Sequence, residues 1–250
     1  MILPSLLIFS ILSAGVGVEN PTIIKLNEQN SKLLTMTCDL YNYGSKSENG
    51  PVARSRGQIY FQKPRNLRMI NHGDRIDKRL MLDLGSNDDV FWFFARRLKP
   101  PTLKYSKYTD LDRTNLDNSL NPLLMMELLG LNTINKENIK IVENDKQISV
   151  YYNMVAPNGK KTTKITIINK KLLLIAGHLI YDEKNELVSQ AIVSNVTKIS
   201  TMNIPSQINI VWNKKDIDIT ILLSNIKLNV QIDNSIFIMP NIKPSENLAR

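Results

Sequence analysis

Cysteine is almost absent from this 250-residue chain, and the one copy, Cys38, rules out an internal disulfide. It ends the run Leu33-Leu34-Thr35-Met36-Thr37-Cys38, a setting for a small buried hydrophobe rather than a reactive thiol. Histidine is nearly as scarce. His72 precedes Gly73 in a turn and His178 lies in a β-like run, so no metal-ligand spacing joins the two. Gly85-Ser86-Asn87 lacks the Gly-x-Ser-x-Gly form of a hydrolase elbow, and the chain has no phosphate loop, dinucleotide fingerprint or zinc spacing. The carboxylate pairs Asp88-Asp89 and Asp216/Asp218 are explained by a hairpin turn and by strand alternation. With no nucleophile or acid–base set in view, the reading is of a protein that is not an enzyme and uses no cofactor or metal.

Nor is there a basic block. The formal charge is +9, but Lys and Arg recur in ones and twos, as at Arg96-Arg97, Lys160-Lys161, Lys170-Lys171 and Lys214-Lys215, where strands end or turn. Such charge is a solvated surface, and without interleaved aromatics it gives no nucleic-acid patch. Internal repeats, coiled coil and a dividing linker are also missing. One domain over residues 19–250 is expected, long enough to bury a core without covalent staples.

What the chain does have is short strands. From Arg56 to Tyr108, segments near Ala53–Lys63, Asn66–Asn71, Lys78–Leu84, Val90–Arg96 and Thr102–Thr109 carry apolar residues on both faces. Polar turns between close neighbours imply an antiparallel meander. Ile23, Leu26, Asn30, Leu33 and Leu34 fall near helical spacing ahead of a strand at Thr35–Tyr43, and Gly44–Pro51 reads as a loop. Asn121-Pro122 before Leu123-Leu124-Met125-Met126-Glu127-Leu128-Leu129-Gly130 supplies start and stop signals for a short helix, apolar on most sides. Strands resume near Ile139–Glu143, Ile148–Met154, Thr163–Asn169, Leu172–Tyr181, Leu187–Ile199 and, after Ile204-Pro205, at Gln207–Trp212 and Asp216–Leu228. The region beyond Asn234 reads as a strand-like tail.

Residues Met1 to Val18 carry no charged side chain, and Leu6-Leu7-Ile8-Phe9-Ser10-Ile11-Leu12 precedes small Ser13-Ala14-Gly15. This is the layout of a secretory signal cleaved after Gly15 or Gly17, with an uncleaved membrane anchor as the second reading. Leu12-Ser13-Ala14-Gly15 has Gly where the acylated Cys of a lipobox stands, so lipidation is not expected.

The order of these segments resembles the LolA and LolB lipoprotein carrier and receptor family. The likeness lies in a strand ending in a basic residue plus Pro (Lys63-Pro64), an Asn-x-Arg-hydrophobic strand (Asn66-Leu67-Arg68-Met69) and an aromatic strand. Leu84–Trp92 and Leu124–Leu131 are similar to the Leu-Gly-Ser-Asn turn and Leu-rich helix of planctomycete-type LolA-like sequences. The resemblance implies an α+β, mainly β fold: a strongly curved antiparallel sheet, an incomplete β-barrel, with short helices covering its concave face. It implies a monomeric carrier in the periplasm or cell envelope. Its partners are acyl chains of lipoproteins or phospholipids, an inner-membrane releasing complex and an outer-membrane acceptor. Lys63 matches the basic residue that holds the helical lid in the carriers, though Lys lacks the planar two-pronged hydrogen bonding of Arg.

A surface for acyl chains needs apolar side chains, since each buried methylene contributes about 0.8 kcal/mol. Strand alternation puts Ile59, Phe61, Leu67, Met69, Leu80, Leu82, Val90, Trp92 and Phe94 on one face, opposed by Met125, Met126 and Leu129 of the helix. Methionine adapts to varied chains. On this reading Trp92 reports ligand entry. The same stripe also suits an ordinary core, and the alternative is a structural or interaction module of the cell envelope with a filled interior.

Overall fold

The computed structural model describes residues 20–46, 54–73, 80–96, 103–107, 110, 122–135, 139–155, 161–213, 217–240 and 244–247. The secretory-signal reading therefore lies outside the described residues.

Helix α1 (Pro21–Ser31) opens on an Asn20 cap, whose Oδ1 accepts from the amides of Thr22 and Ile23 while Pro21 takes the first turn. Its apolar spacing buries Ile23 and Leu26. Strands then follow at β1 (Thr35–Lys46), β2 (Arg54–Gln62), β3 (Asn66–Gly73), β4 (Leu80–Ser86), β5 (Val90–Ala95) and β6 (Leu103–Lys107). Each pairs antiparallel with the next.

Helix α2 (Pro122–Leu128) interrupts them. It ends in paired bonds, Leu131 N to Met126 O and Gly130 N to Glu127 O, with Gly130 at φ 75°. That left-handed residue is what the closing Gly supplies.

A second series comprises β7 (Ile139–Glu143), β8 (Gln147–Val155), β9 (Lys161–Asn169), β10 (Leu174–Tyr181), β11 (Leu187–Ile199), β12 (Met202–Trp212) and β13 (Ile217–Leu228). It joins the first where β13 pairs with β1. A 3-10 turn at Asn234–Phe237 leads to β14 (Pro244–Asn247), which pairs parallel to β6. The strand-like tail is thus half turn and half strand.

All fourteen strands form one sheet in the order β14-β6-β5-β4-β3-β2-β1-β13-β12-β11-β10-β9-β8-β7. The sheet is curved and does not close into a barrel. The helices cover its concave face, and the expected mainly β half-barrel is what the chain adopts.

Several strand boundaries lie a few residues from expectation, and for two of them the pairing gives the reason. β1 continues through Gly44 to Lys46, because its partner β13 extends alongside to Asp218. β12 begins at Met202 and runs through Pro205, since shifts in register around Asn195 let β11 pass a residue that offers no amide hydrogen.

Candidate functional site

The concave face is an apolar wall. Met36, Cys38 and Leu40 of β1, Ile59 and Phe61 of β2, Leu67 and Met69 of β3, Ile208, Ile210 and Trp212 of β12 and Ile221 and Leu223 of β13 are buried in one continuous core. Met126, Leu128 and Leu129 of α2 close over it, with Met125 partly buried beside them. Of the residues expected to share one face, Ile59, Phe61, Leu67, Met69, Leu82, Met125, Met126 and Leu129 are brought together here.

Leu80, Val90, Trp92 and Phe94 are not. They belong to a separate cluster with Leu103, Tyr105 and Met239 on the convex side. The correction has two causes, both in register. A bulge at Met81 sets Asn71 opposite Leu82 but His72 opposite Leu80, so two leucines two residues apart turn to opposite faces. The Asn87–Asp89 turn then pairs Leu84 with Phe93 and Gly85 with Trp92, which gives the concave side to Phe93. Asn87 Oδ1 fixes that turn by accepting from the amides of Asp89 and Val90. Alternation read within one strand cannot show the phase of the next.

Lys63, expected to hold a lid, donates from Nζ to the carbonyls of Asn30 at 2.6 Å and Ser31 at 3.2 Å. It therefore engages the last turn of α1, where a cation meets the negative end of the helix. Partial burial lowers its pKa. From α1 the contacts continue toward α2. Asn27 both donates to Ile134 O at 3.1 Å and accepts from Ile134 N at 2.8 Å, and Asn30 Nδ2 donates to Asn132 O at 3.0 Å.

Beneath α2 lies a polar island that the sequence reading missed. Glu127 points inward, and Lys164 of β9 donates to its Oε2 at 2.9 Å with both side chains nearly enclosed. His178 of β10 sits opposite Thr166 of β9, with Nδ1 3.1 Å from the Thr166 hydroxyl. Its Nε2 is 3.5 Å from Glu127 Oε2, outside hydrogen-bonding geometry, and is buried without a hydrogen-bond partner among the described residues. Burial first, then the Lys164 ammonium, lowers the His178 pKa to about 3, so the ring is neutral at ordinary pH. The Lys164 ammonium also lies 4.3 Å from the centroid of the Tyr152 ring. Tyr152 in turn has its hydroxyl pKa raised, by burial and then by Glu127. Only the Glu in an otherwise apolar helix, Leu124–Leu129, hinted at this island.

Next to His178, a cavity of about 30 Å³ is lined by Leu124, Met125, Leu128, Ile180 and Ile210 among others. That is room for about one or two water molecules and far too little for an acyl chain. A larger groove of about 380 Å³ lies open to solvent by Leu34, Gln62, Lys63 and Val230. Among the described residues no cluster of three His, Cys, Asp or Glu could hold a metal, and no helix is long and apolar enough to cross a membrane.

No protein-family model matches the chain, and no curated protein does. Solved structures do. A DUF1329 family protein from Desulfovibrio piger superposes with a TM-score of 0.58 at 15% identity, over 87% of this chain and 94% of its own. A LolA superfamily protein from Nitrosomonas europaea gives 0.55 at 11% identity, over 88% and 99%. A domain described as an outer membrane lipoprotein-sorting protein, from Vibrio parahaemolyticus, gives 0.56 at 9% identity, over 86% and 95%. At these identities it is the architecture that is shared, and the chain has the LolA-like fold.

Proposed function

We propose that this is an exported, non-catalytic protein that takes acyl chains of lipids or lipoproteins between the concave face of its half-barrel and α2. One observation carries the reading: a broad apolar wall, running from Phe61 to Trp212, is roofed by a helix of only seven residues. Methionine at the roof, Met125 and Met126, suits a surface that repacks around different chains. The fold shared with a lipoprotein-sorting domain supports the same reading. Since the cavity beneath α2 holds only about 30 Å³, uptake there requires α2 to move. Lys63 grips the end of α1, which is bonded through Asn27 and Asn30 to residues 132–134 after α2, so it latches the proposed lid through α1. Native mass spectrometry of the protein purified from its own envelope tests this. A co-purifying lipid supports the carrier, and a bare chain that also fails to take up acylated lipoproteins or phospholipids overturns it.

The small size of that cavity favours a second reading, a structural module of the cell envelope with the same fold. In that case the core unfolds as one unit and acyl probes leave its stability unchanged.

A further inference from the structure

The polar island under α2 is an odd thing to bury in an acyl-binding wall. Taking an ammonium out of water is costly unless an anion accompanies it, and here the anion comes from the roof rather than from the wall. Lys164 and Thr166 stand on β9 and His178 on β10, both rigid parts of the sheet, while Glu127 rides on the short helix. When the Thr166 hydroxyl donates to Nδ1, the His178 proton sits on Nε2. That N–H then faces Glu127 Oε2 and the small apolar cavity with no hydrogen-bond partner among the described residues. Lys164 Nζ and His178 Nε2 thus converge on one carboxylate oxygen, one at bonding distance and one just beyond it.

We propose that Lys164 and His178 form a carboxylate site for the head group of a long-chain fatty acid, with Glu127 as the resident stand-in that fills it when α2 is closed. The inference rests on the acyl-chain reading above and gives it a ligand class. An incoming carboxylate takes over the Lys164 ammonium and the His178 N–H, and Glu127 is released to solvent as α2 lifts. The alkyl chain takes the space held by Leu124, Met125 and Leu128 against Ile180 and Ile210. An esterified chain has no charge to exchange for Glu127, so the site discriminates free acids from esters. The charged groups facing the ligand are Glu127 from α2 and Lys164 from β9, with Tyr152 of β8 beneath the ammonium.

The test is titration of the purified protein with cis-parinaric acid and, separately, its methyl ester. The acid binds about tenfold or more tighter than the ester, in line with charge-assisted hydrogen bonds to a buried carboxylate. Lys164→Met brings the acid down to the affinity of the ester and leaves the ester unchanged. Glu127→Gln, which removes the competing charge, strengthens acid binding. Equal affinity of acid and ester in the unsubstituted protein overturns the carboxylate site while leaving the acyl-chain reading intact, and that comparison needs no variant to fold. If neither probe binds, the carboxylate site falls as well, and uptake of acylated lipoproteins or phospholipids decides the acyl-chain reading separately.

Discussion

Trp92 and Asp83 meet on the convex side of the sheet, the indole Nε1 donating to Oδ1 of Asp83 at 2.9 Å. The same carboxylate takes Nε and Nη2 of Arg68 at 3.3 and 2.8 Å, and Arg68 Nη1 donates to Ile236 O at 2.7 Å. Asp83 is 1% exposed, so this network is a buried one that ties the 3-10 turn near the C-terminus to the outer face.

Removing the carboxylate leaves a guanidinium and an indole N–H short of a partner. Asp83→Ala is expected to destabilise the fold by about 3–5 kcal/mol, and Asp83→Asn, which keeps an acceptor for Trp92, by less. Urea denaturation midpoints of the two variants measure the difference.

Gly85 lies under the same indole. A Cβ built there stands 2.1 Å from Cζ2 of Trp92, closer than any real contact. Gly85→Ala is predicted to cost on the order of 1–3 kcal/mol by overpacking, and Trp92→Leu in the same chain recovers part of that loss. A double-mutant cycle reads the coupling.

The two tryptophans now have separate duties. Trp92 faces away from the helices, whereas Trp212 is in the concave core, its Nε1 without a hydrogen-bond partner among the described residues. Fluorescence changes on acyl-probe uptake are therefore expected to survive Trp92→Phe and to vanish in Trp212→Phe. The reverse pattern places the ligand on the convex side.

His178 sets a pH window. Its pKa falls from 6.5 to about 3 in the fold, so between those values the unfolded chain takes a proton that the folded one refuses. Stability is full above the upper value and drops as pH falls through the window, by up to about 1.4 kcal/mol per pH unit. His178→Gln flattens this slope. Denaturation midpoints measured across the window check it.

Cys38 is predicted to be inert in the native state. Burial, and then the neighbouring Asp39, push its thiol up to about 12. A thiol reagent at neutral pH labels it only when the core opens, and labelling at the rate of a free thiol in the native protein contradicts this.

Most elements were legible because local chemistry wrote them. Helical spacing from Ile23 marks α1, Gly130 ends α2, and Ile139–Glu143 and Leu187–Ile199 run where their apolar and β-branched residues place them. What could not be read was long-range. The face taken by Leu80 depends on a bulge opposite Asn71 and His72, that of Trp92 on the register set by the Asn87–Asp89 turn, and Pro205 passes inside a strand only because β11 shifts its register to meet it. The Lys164–Glu127 pair joins residues 37 apart in sequence, with no motif to announce it. Lys63 was legible as a residue that grips a helix, but not which helix.

One series of contacts runs across the mouth of the arc: Lys63 to the end of α1, Asn27 and Asn30 to residues 132–134, and Glu127 to Lys164. Its two ends are anchored at the turn after β2 and in β9, on opposite arms of the sheet. It works as a strut. Spreading the arms to admit something bulky has to break a joint of that strut, so loading the interior and widening the arc are a single mechanical event, and tightening any one joint stiffens the whole span.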